Sequence, residues 1–231
     1  MALRPFIRVL VAFTLSTAGA GVVAAARLPP SREIVQRLEA EYSSAKDLQA
    51  RLTGVVLTAD QRFPVDVQAR VVIPQDIFRL DFEEPQALAD NFMLLSAGKM
   101  YNYSFLTNTV LVSDARRANA SALGNFDVTS LTRISKLVPL DKVTLGQTVS
   151  EKTPSGDAFS FEVLRKPGSD LFYSRAKLTI LQDNFRPFRF QAFKPDGSPH
   201  VDLTVKEWRY NTGLNAKTLT TLPRGVEVIN R

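Results

Sequence analysis

The chain has 231 residues, of which 29 are Lys or Arg, 23 are Asp or Glu, one is His and none is Cys. The absence of Cys excludes disulfides, thiolate nucleophiles and cysteine-ligated metals, and a single His excludes a multi-histidine metal site. An apolar fraction of 45% with 9% aromatic residues is typical of a folded protein. The counts favour binding or carriage over catalysis.

Residues 1–26 have the pattern of a secretory signal peptide. Two arginines precede an uncharged run that becomes rich in small residues and ends in three alanines. This is typical of a cleaved export signal, whereas a retained membrane anchor would favour larger apolar residues towards its end. Cleavage after Ala26 would lower the net charge from +6 to +4, since it removes Arg4 and Arg8 and no acid. We therefore predict an exported protein with a single domain over residues 27–231.

The first element after the signal is predicted to be an amphipathic helix over about residues 32–45. Its apolar residues recur at helical spacing, and Ser31 stands at the position of an N-cap. These apolar residues are Ile34, Val35, Leu38 and Tyr42. The helix must dock this stripe against another part of the protein.

From Asp47 onwards, apolar residues alternate with polar ones, which predicts β-strands. The strands are separated by turns at hairpin spacing, including a two-residue turn at Gly98-Lys99. They are expected near residues 48–56, 65–73, 78–82, 91–97, 100–105, 108–113, 159–163, 172–180, 188–192, 201–205 and 218–222.

Residues 114–140 do not alternate and predict a helical insertion. A helix would begin after Asp127, which can cap it, and end before Pro139. The residues that share its apolar face are Val128, Leu131, Ile134, Ser135 and Val138.

The pattern predicts a mainly β fold of the α+β class. Each predicted strand has one apolar and one polar face, so one face of the sheet would be covered and the other would meet water. A wide sheet curls because strand twist accumulates. We expect a curved antiparallel sheet, or unclosed β-barrel, of about 10–11 strands with two or three helices covering its concave face.

Three stretches of the chain carry a resemblance: PQDIFRLDFEEP at residues 74–85, LLSAGKMY at 94–101 and LPRGVEV at 222–228. In this order they resemble the outer-membrane lipoprotein carrier family (LolA-like), which is related to LolB and to the N-terminal domain of RseB. The resemblance implies an unclosed β-barrel with a helical lid over an apolar cavity. It also implies a non-enzymatic carrier of lipoprotein acyl chains or other lipids. One departure is Ile73, which stands where the best-studied carriers place an arginine.

The resemblance further implies partners and site residues. The partners would be acyl chains, an inner-membrane ABC transporter and an outer-membrane acceptor, with no cofactor, no metal and no nucleic acid, and the protein would be a monomer. The cavity candidates are Phe78, Leu80, Phe82, Leu95, Phe159, Phe161, Leu178, Phe188, Phe190 and Leu203. The lid candidates are Ile34, Leu38, Leu131, Ile134 and Val138.

Other interpretations of the same residues remain open. The cavity candidates would equally suit a filled core. A regulatory sensor of the same fold would bind a membrane protein, although the known regulators carry a second C-terminal domain. A hydrolase would need His200 as its base, but no G-x-S-x-G elbow is present, so we interpret His200 as a surface residue.

Two further groups of residues are assigned to structure. The acidic turn around Pro85 lacks the spacing of an EF-hand and is interpreted as solvated. Trp208 and Tyr210 are expected to be packing residues or part of the sheet rim.

Overall fold

A computed structural model describes residues 27–57, 61–115 and 134–231 of the chain, without the side chain of Ile134. Within these ranges lie the helices α1 (Ser31–Ser44), α2 (Ile134–Leu137) and α3 (Ala216–Thr220). The strands are β1 (Asp47–Leu57), β2 (Arg62–Val72), β3 (Ile77–Glu84), β4 (Phe92–Ser96), β5 (Lys99–Ser104), β6 (Thr109–Asp114), β7 (Val143–Leu145), β8 (Val149–Thr153), β9 (Gly156–Arg165), β10 (Arg175–Leu181), β11 (Pro187–Phe193), β12 (Pro199–Tyr210) and β13 (Glu227–Asn230). The predicted signal peptide and Leu131 lie outside the described residues.

The strands form one curved, unclosed sheet in the order β13-β6-β5-β4-β3-β2-β1-β12-β11-β10-β9-β7, with β8 also paired to β9. Neighbours are antiparallel except β13, which runs parallel to β6. The predicted fold class is confirmed, with thirteen described strands where about 10–11 were expected. The short strands β7, β8 and β13 were not predicted, and the strand predicted at residues 218–222 is wrong because α3 occupies most of that stretch.

Helix α1 packs on the concave face of the sheet through its predicted stripe. Ile34, Val35, Leu38 and Tyr42 are all buried there. The predicted N-cap role of Ser31 is wrong, because its hydroxyl donates instead to the backbone oxygen of Gly146 at 2.7 Å. This bond ties the start of α1 to the connection between β7 and β8.

The concave face and its helices enclose an apolar core, here called the inner cluster. Its largest fully buried members are Ile34, Leu38, Leu48, Phe78, Leu80, Met100, Phe161, Tyr173, Leu178 and Ile180. Because these side chains come from α1, from β1 and from segments on either side of β1, the inner cluster holds the two halves of the sheet together.

The opposite face is also covered over part of the sheet, which the sequence did not predict. An outer cluster is formed by Val72, Ile77, Phe92, Leu94, Tyr103, Val110, Val112 and Leu219. Leu219 belongs to α3, so this helix lies outside the curved sheet rather than on its concave face. Arg79 of β3 links the sheet to α3. It donates to the Leu219 carbonyl at 3.1 Å, and its guanidinium lies 3.8 Å from the centre of the Phe92 ring.

Elsewhere the outer face is polar, as predicted. Cross-strand ion pairs join Arg51 to Asp66 at 2.7 Å and Arg189 to Asp202 at 2.6 Å. Exposed ion pairs of this kind contribute about 0–1 kcal/mol each to the free energy of unfolding, so they add little to the stability of the fold. No described helix is long and apolar enough to cross a membrane.

Two details of strand pairing differ from the predictions. The turn between β4 and β5 is at Ala97-Gly98, one residue earlier than predicted, with φ of 50° and 71°. Both residues thus have the positive φ that a type I′ hairpin turn requires. In β12 the register shifts: Leu52 of β1 faces Val205, whereas Arg51 faces Glu207. Lys206 is therefore the extra residue of a β-bulge, which reverses the inward parity of the residues after it.

Candidate ligand-binding site on the concave face

A small apolar cavity lies between the middle of the sheet and α2. Its volume is about 50 Å³, far below the roughly 300–1,000 Å³ of typical ligand sites. It is lined by Leu48, Ala50, Leu52, Ala69, Val71, Leu137, Leu178, Pro187, Arg189, Phe190, Leu203, Val205 and Trp208. The cavity marks a place where the packing of the concave face is incomplete.

Most cavity candidates from the sequence lie in the inner cluster, and some of them line the cavity. Leu178, Phe190 and Leu203 form part of its wall. The candidates buried elsewhere in the inner cluster are Phe78, Leu80, Phe82, Leu95 and Phe161. Phe159 is partly buried beside them, with its ring 6.0 Å from that of Phe185.

Phe188 is placed differently from its neighbours. In the pairing of β10 with β11, Thr179 faces Arg189 but Ile180 faces Pro187, so Phe188 is the extra residue of a bulge. Within the described part of the chain it belongs to neither apolar cluster. The two-residue spacing predicted that Phe188 and Phe190 share a strand face. The bulge breaks this period, so Phe188 does not share the position of Phe190.

Helix α2 covers the cavity and is held at two points. Leu137 lines the cavity, and Val138, a predicted lid residue, is buried in the inner cluster directly after the helix. The Tyr173 hydroxyl donates to the Leu137 carbonyl at 2.8 Å. On the other side, the Glu39 carboxylate of α1 accepts from the backbone nitrogen and the hydroxyl of Ser135 at 2.9 and 3.1 Å.

The other lid predictions have mixed outcomes. Ile34 and Leu38 are buried beneath α1 in the inner cluster. Ser135 was expected on the apolar face of the insertion, but it is exposed and bound to Glu39. Ile134 is the first described residue of α2, and its side chain, like Leu131, lies outside the description.

Trp208 and Tyr210 pack against the inner cluster, and Trp208 also lines the cavity. The sequence pattern did not predict that they lie beside a cavity. After the bulge at Lys206, Trp208 pairs with Ala50 and Tyr210 pairs with Leu48, so both project to the concave side. Their rings meet edge to face with centres 5.8 Å apart. A signal was present: the apolar residues change from odd numbers up to Val205 to even numbers at Trp208, which indicates a bulge.

The polar atoms of these two rings are buried without partners. Among the residues that the structure describes, neither Trp208 Nε1 nor Tyr210 Oη forms a hydrogen bond. Burial raises the pKa of the Tyr210 hydroxyl to about 12. The Trp208 indole N–H lies beside the Tyr210 hydroxyl and opposes part of this rise in the pKa, but the two groups do not reach the geometry of a hydrogen bond.

His200 and the acidic turn are built into the structure without catalytic geometry. His200 is buried, so its interpretation as a surface residue is wrong; its Nδ1 lies 2.9 Å from the Leu57 carbonyl, and its ring lies 6.2 Å from that of Phe172. Asp81, in the acidic turn region, forms ion pairs with Arg70 and Arg79. Within residues 27–57, 61–115 and 134–231, no group of His, Asp and Glu could hold a metal ion.

Solved structures share this architecture. An uncharacterized conserved protein from Thermus thermophilus is 22% identical with a TM-score of 0.61, over 87% of this chain and 98% of that one. MucB is 14% identical with a TM-score of 0.51, over 86% of this chain but only 64% of MucB. A LolA superfamily protein from Nitrosomonas europaea is 12% identical with a TM-score of 0.42, over 84% of this chain and 99% of that one.

Two other comparisons give no match. No family model matches the chain, and no curated protein matches it. The likeness to known proteins therefore rests on the three-dimensional fold, in which a curved sheet wraps around helices on its concave side. This chain has the fold of the Thermus thermophilus protein and of MucB.

Proposed function

We propose that this protein is an exported, non-enzymatic carrier that shields the acyl chains of lipoproteins or other lipids. The observation that carries the proposal is the apolar cavity under α2, since it lies at the centre of the concave face and is closed by the described part of this helix. Small side chains, those of Ala50 and Ala69, form part of its wall. A binding site that opens at this point would expose mostly apolar residues to its cargo.

The cavity must expand before it can take an acyl chain. Burying a chain contributes about 0.8 kcal/mol per CH₂ group, which must offset the exposure of Leu137 and Val138, at about 1.5–3 kcal/mol each, when α2 moves. The opening would break the hydrogen bonds that Tyr173 and Glu39 make with α2, at about 1 kcal/mol each. We therefore propose that Leu137 and Val138 move away with α2 when cargo enters, and that the concave sheet residues become the binding surface.

The proposed cellular setting follows from the sequence. Cleavage after Ala26 would place the domain of residues 27–231 in the periplasm. An inner-membrane ABC transporter would deliver the lipid and an outer-membrane acceptor would receive it, with the carrier acting as a monomer. The protein would need no cofactor, because shielding requires apolar surface and no chemistry.

Bound lipid provides the direct test. The full chain would be expressed in a Gram-negative host, purified from the periplasm and analysed by native mass spectrometry and N-terminal sequencing. We expect a mature N-terminus at Arg27, co-purified acylated lipid and uptake of a fluorescent fatty-acyl probe. Recovery of lipid-free protein that also fails to take up the probe would contradict the carrier, and stable capture of a membrane protein segment instead would favour the sensor.

Loosening the lid gives a graded prediction. Tyr173→Phe removes the bond to the Leu137 carbonyl while keeping the ring, so the open form should become about five times more populated. We expect a comparable gain in apparent probe affinity and faster probe exchange, measured by stopped-flow fluorescence. Tyr101→Phe is the matched control, since Tyr101 packs against the outer cluster. Equal behaviour of both variants would show that α2 is not the lid.

A further inference from the structure

Trp208 Nε1 and Tyr210 Oη are two buried donors without a hydrogen-bond partner, and they lie next to each other beside the cavity. Trp208 is part of the cavity wall, and Tyr210 follows it on the same inward side of β12. Buried polar groups are nearly always hydrogen-bonded in folded proteins, so each exception needs an explanation. Two exceptions in adjacent rings, at the end of an otherwise apolar cavity, indicate a place where a ligand group completes the bonding.

The chemistry of the two rings defines that group. An indole N–H can only donate a hydrogen bond, and a phenol that remains protonated at neutral pH can donate another. A carbonyl oxygen has two lone pairs and can accept from both donors. The apolar walls next to Trp208, including Leu48 and Val205, suit the aliphatic chain attached to such a carbonyl.

The surrounding charges distinguish between neutral and anionic ligands. Tyr210 lies in the field of Glu39 and Glu41 on α1, which is only partly opposed by Arg186 before β11. Glu41 is also paired with Arg37, at 3.2 Å. Arg37 and Arg186 together balance Glu39 and Glu41, so a carboxylate buried at this hydroxyl would find no excess positive charge to offset its desolvation.

Building on the proposed carrier function, we propose that Trp208 and Tyr210 form a carbonyl-binding subsite that selects neutral acyl esters and amides over free fatty acids and plain hydrocarbons. The acyl chain lies along the concave face, and its carbonyl accepts from Trp208 Nε1 and Tyr210 Oη. The subsite thereby fixes the depth at which the cargo sits. In the ligand-free protein the same two donors lack partners, which lowers its stability.

The test uses three probes with chains of twelve carbons: methyl dodecanoate, dodecanoic acid and dodecane. Their affinities would be measured by displacement of a fluorescent fatty-acyl probe from the purified mature protein. We expect the ester to bind about five to ten times more tightly than either of the other two. Because the chain has one Trp, its single indole N–H resonance should shift downfield with the ester and move less with the alkane.

Tyr210→Phe separates the subsite from a packing role. It should remove most of the ester's advantage over the alkane, while the thermal midpoint of the empty protein stays the same or rises because an unbonded hydroxyl is lost. Tyr101→Phe should retain the preference. Equal binding of ester and alkane by the wild-type protein, with an unmoved indole resonance, would overturn the subsite and leave the carrier standing. Binding of none of the three probes would overturn both.

Discussion

Replacing Asp47 with alanine is expected to lower the free energy of unfolding by about 3 kcal/mol. Asp47 is buried at the start of β1, where one carboxylate oxygen accepts from the backbone nitrogen and the hydroxyl of Thr212 at 2.7 and 2.8 Å. The other oxygen accepts from the backbone nitrogens of Gly213 and Leu214 at 3.0 and 3.2 Å. Alanine would leave all four donors without this partner.

The segment held by Asp47 explains why the loss should be large. Residues 212–214 connect β12 to α3, whose Leu219 belongs to the outer cluster. Releasing the connection would loosen the cover of that cluster as well as the local bonds. Hydrogen exchange should therefore increase in residues 211–231 and on the outer face of β4 in the Asp47→Ala variant. Unchanged protection there would show that Asp47 does not hold the C-terminal cover.

The same residue gives a pH-dependent stability. Burial raises the pKa of Asp47, but the hydrogen bonds from residues 212–214 outweigh it and hold the pKa below its ordinary value of 3.8. A carboxyl whose pKa is lower in the folded state stabilises the fold above the ordinary pKa and loses this effect as the pH falls through the folded one. The contribution should be complete at pH 7 and decline below about pH 4.

Asp47→Asn is the matched control for charge and size. Its amide nitrogen cannot accept, so it keeps the bonds to one side of the carboxylate and loses those to the other. It should be destabilised less than Asp47→Ala at pH 7, and its stability should approach that of the wild type as the pH falls. Denaturant unfolding at pH 7, 5 and 3 would check this. A constant gap across the series would mean that the Asp47 carboxylate is not the group that titrates.

The single curved sheet could be predicted from the sequence because burial of one face imposes a period of two. In β2, for example, Val65, Val67, Ala69 and Val71 all belong to the inner cluster. The helix α1 was predicted to within one residue at each end, since its apolar stripe is uninterrupted. These elements depend on local patterns, which a sequence displays directly.

The cover on the outer face was missed because its helix is short. Helix α3 has five residues, too few for a periodic pattern. The signal lay instead in β4, where four consecutive apolar residues, 92–95, are all buried. A strand that is apolar on both sides indicates cover on both faces of the sheet.

The candidate site could be located but not resolved in detail. The residues that line a cavity and those that fill a core are the same aliphatic and aromatic types, so Phe78 and Phe190 looked equivalent. Their roles depend on how closely opposing side chains approach, which is set by packing between distant strands. Bulges at Phe188 and Lys206 then exchanged which residues face inward.

Filling the cavity should weaken binding of the fatty-acyl probe while changing the stability of the protein only slightly. Ala69 lines the cavity and pairs with Ala50, so Ala69→Val would place two added methyl groups in or beside the space of about 50 Å³. Because this space is apolar and Val is favoured in strands, the empty protein should lose less than about 1 kcal/mol of stability and could gain some. The substitution would, however, fill the cavity into which we propose that the acyl chain first inserts. We expect at least a tenfold fall in affinity for the fatty-acyl probe.

Ala192→Val is the matched control, since Ala192 is fully buried in the inner cluster away from the residues that line the cavity. Overpacking at such a position costs about 1–3 kcal/mol. The control should therefore be less stable than Ala69→Val and yet retain more probe binding, as measured by thermal unfolding and by fluorescence titration. The opposite order would place the acyl chain elsewhere on the protein. The expected order would tie binding to this cavity on the concave face, because a general loss of stability predicts weaker binding in both variants.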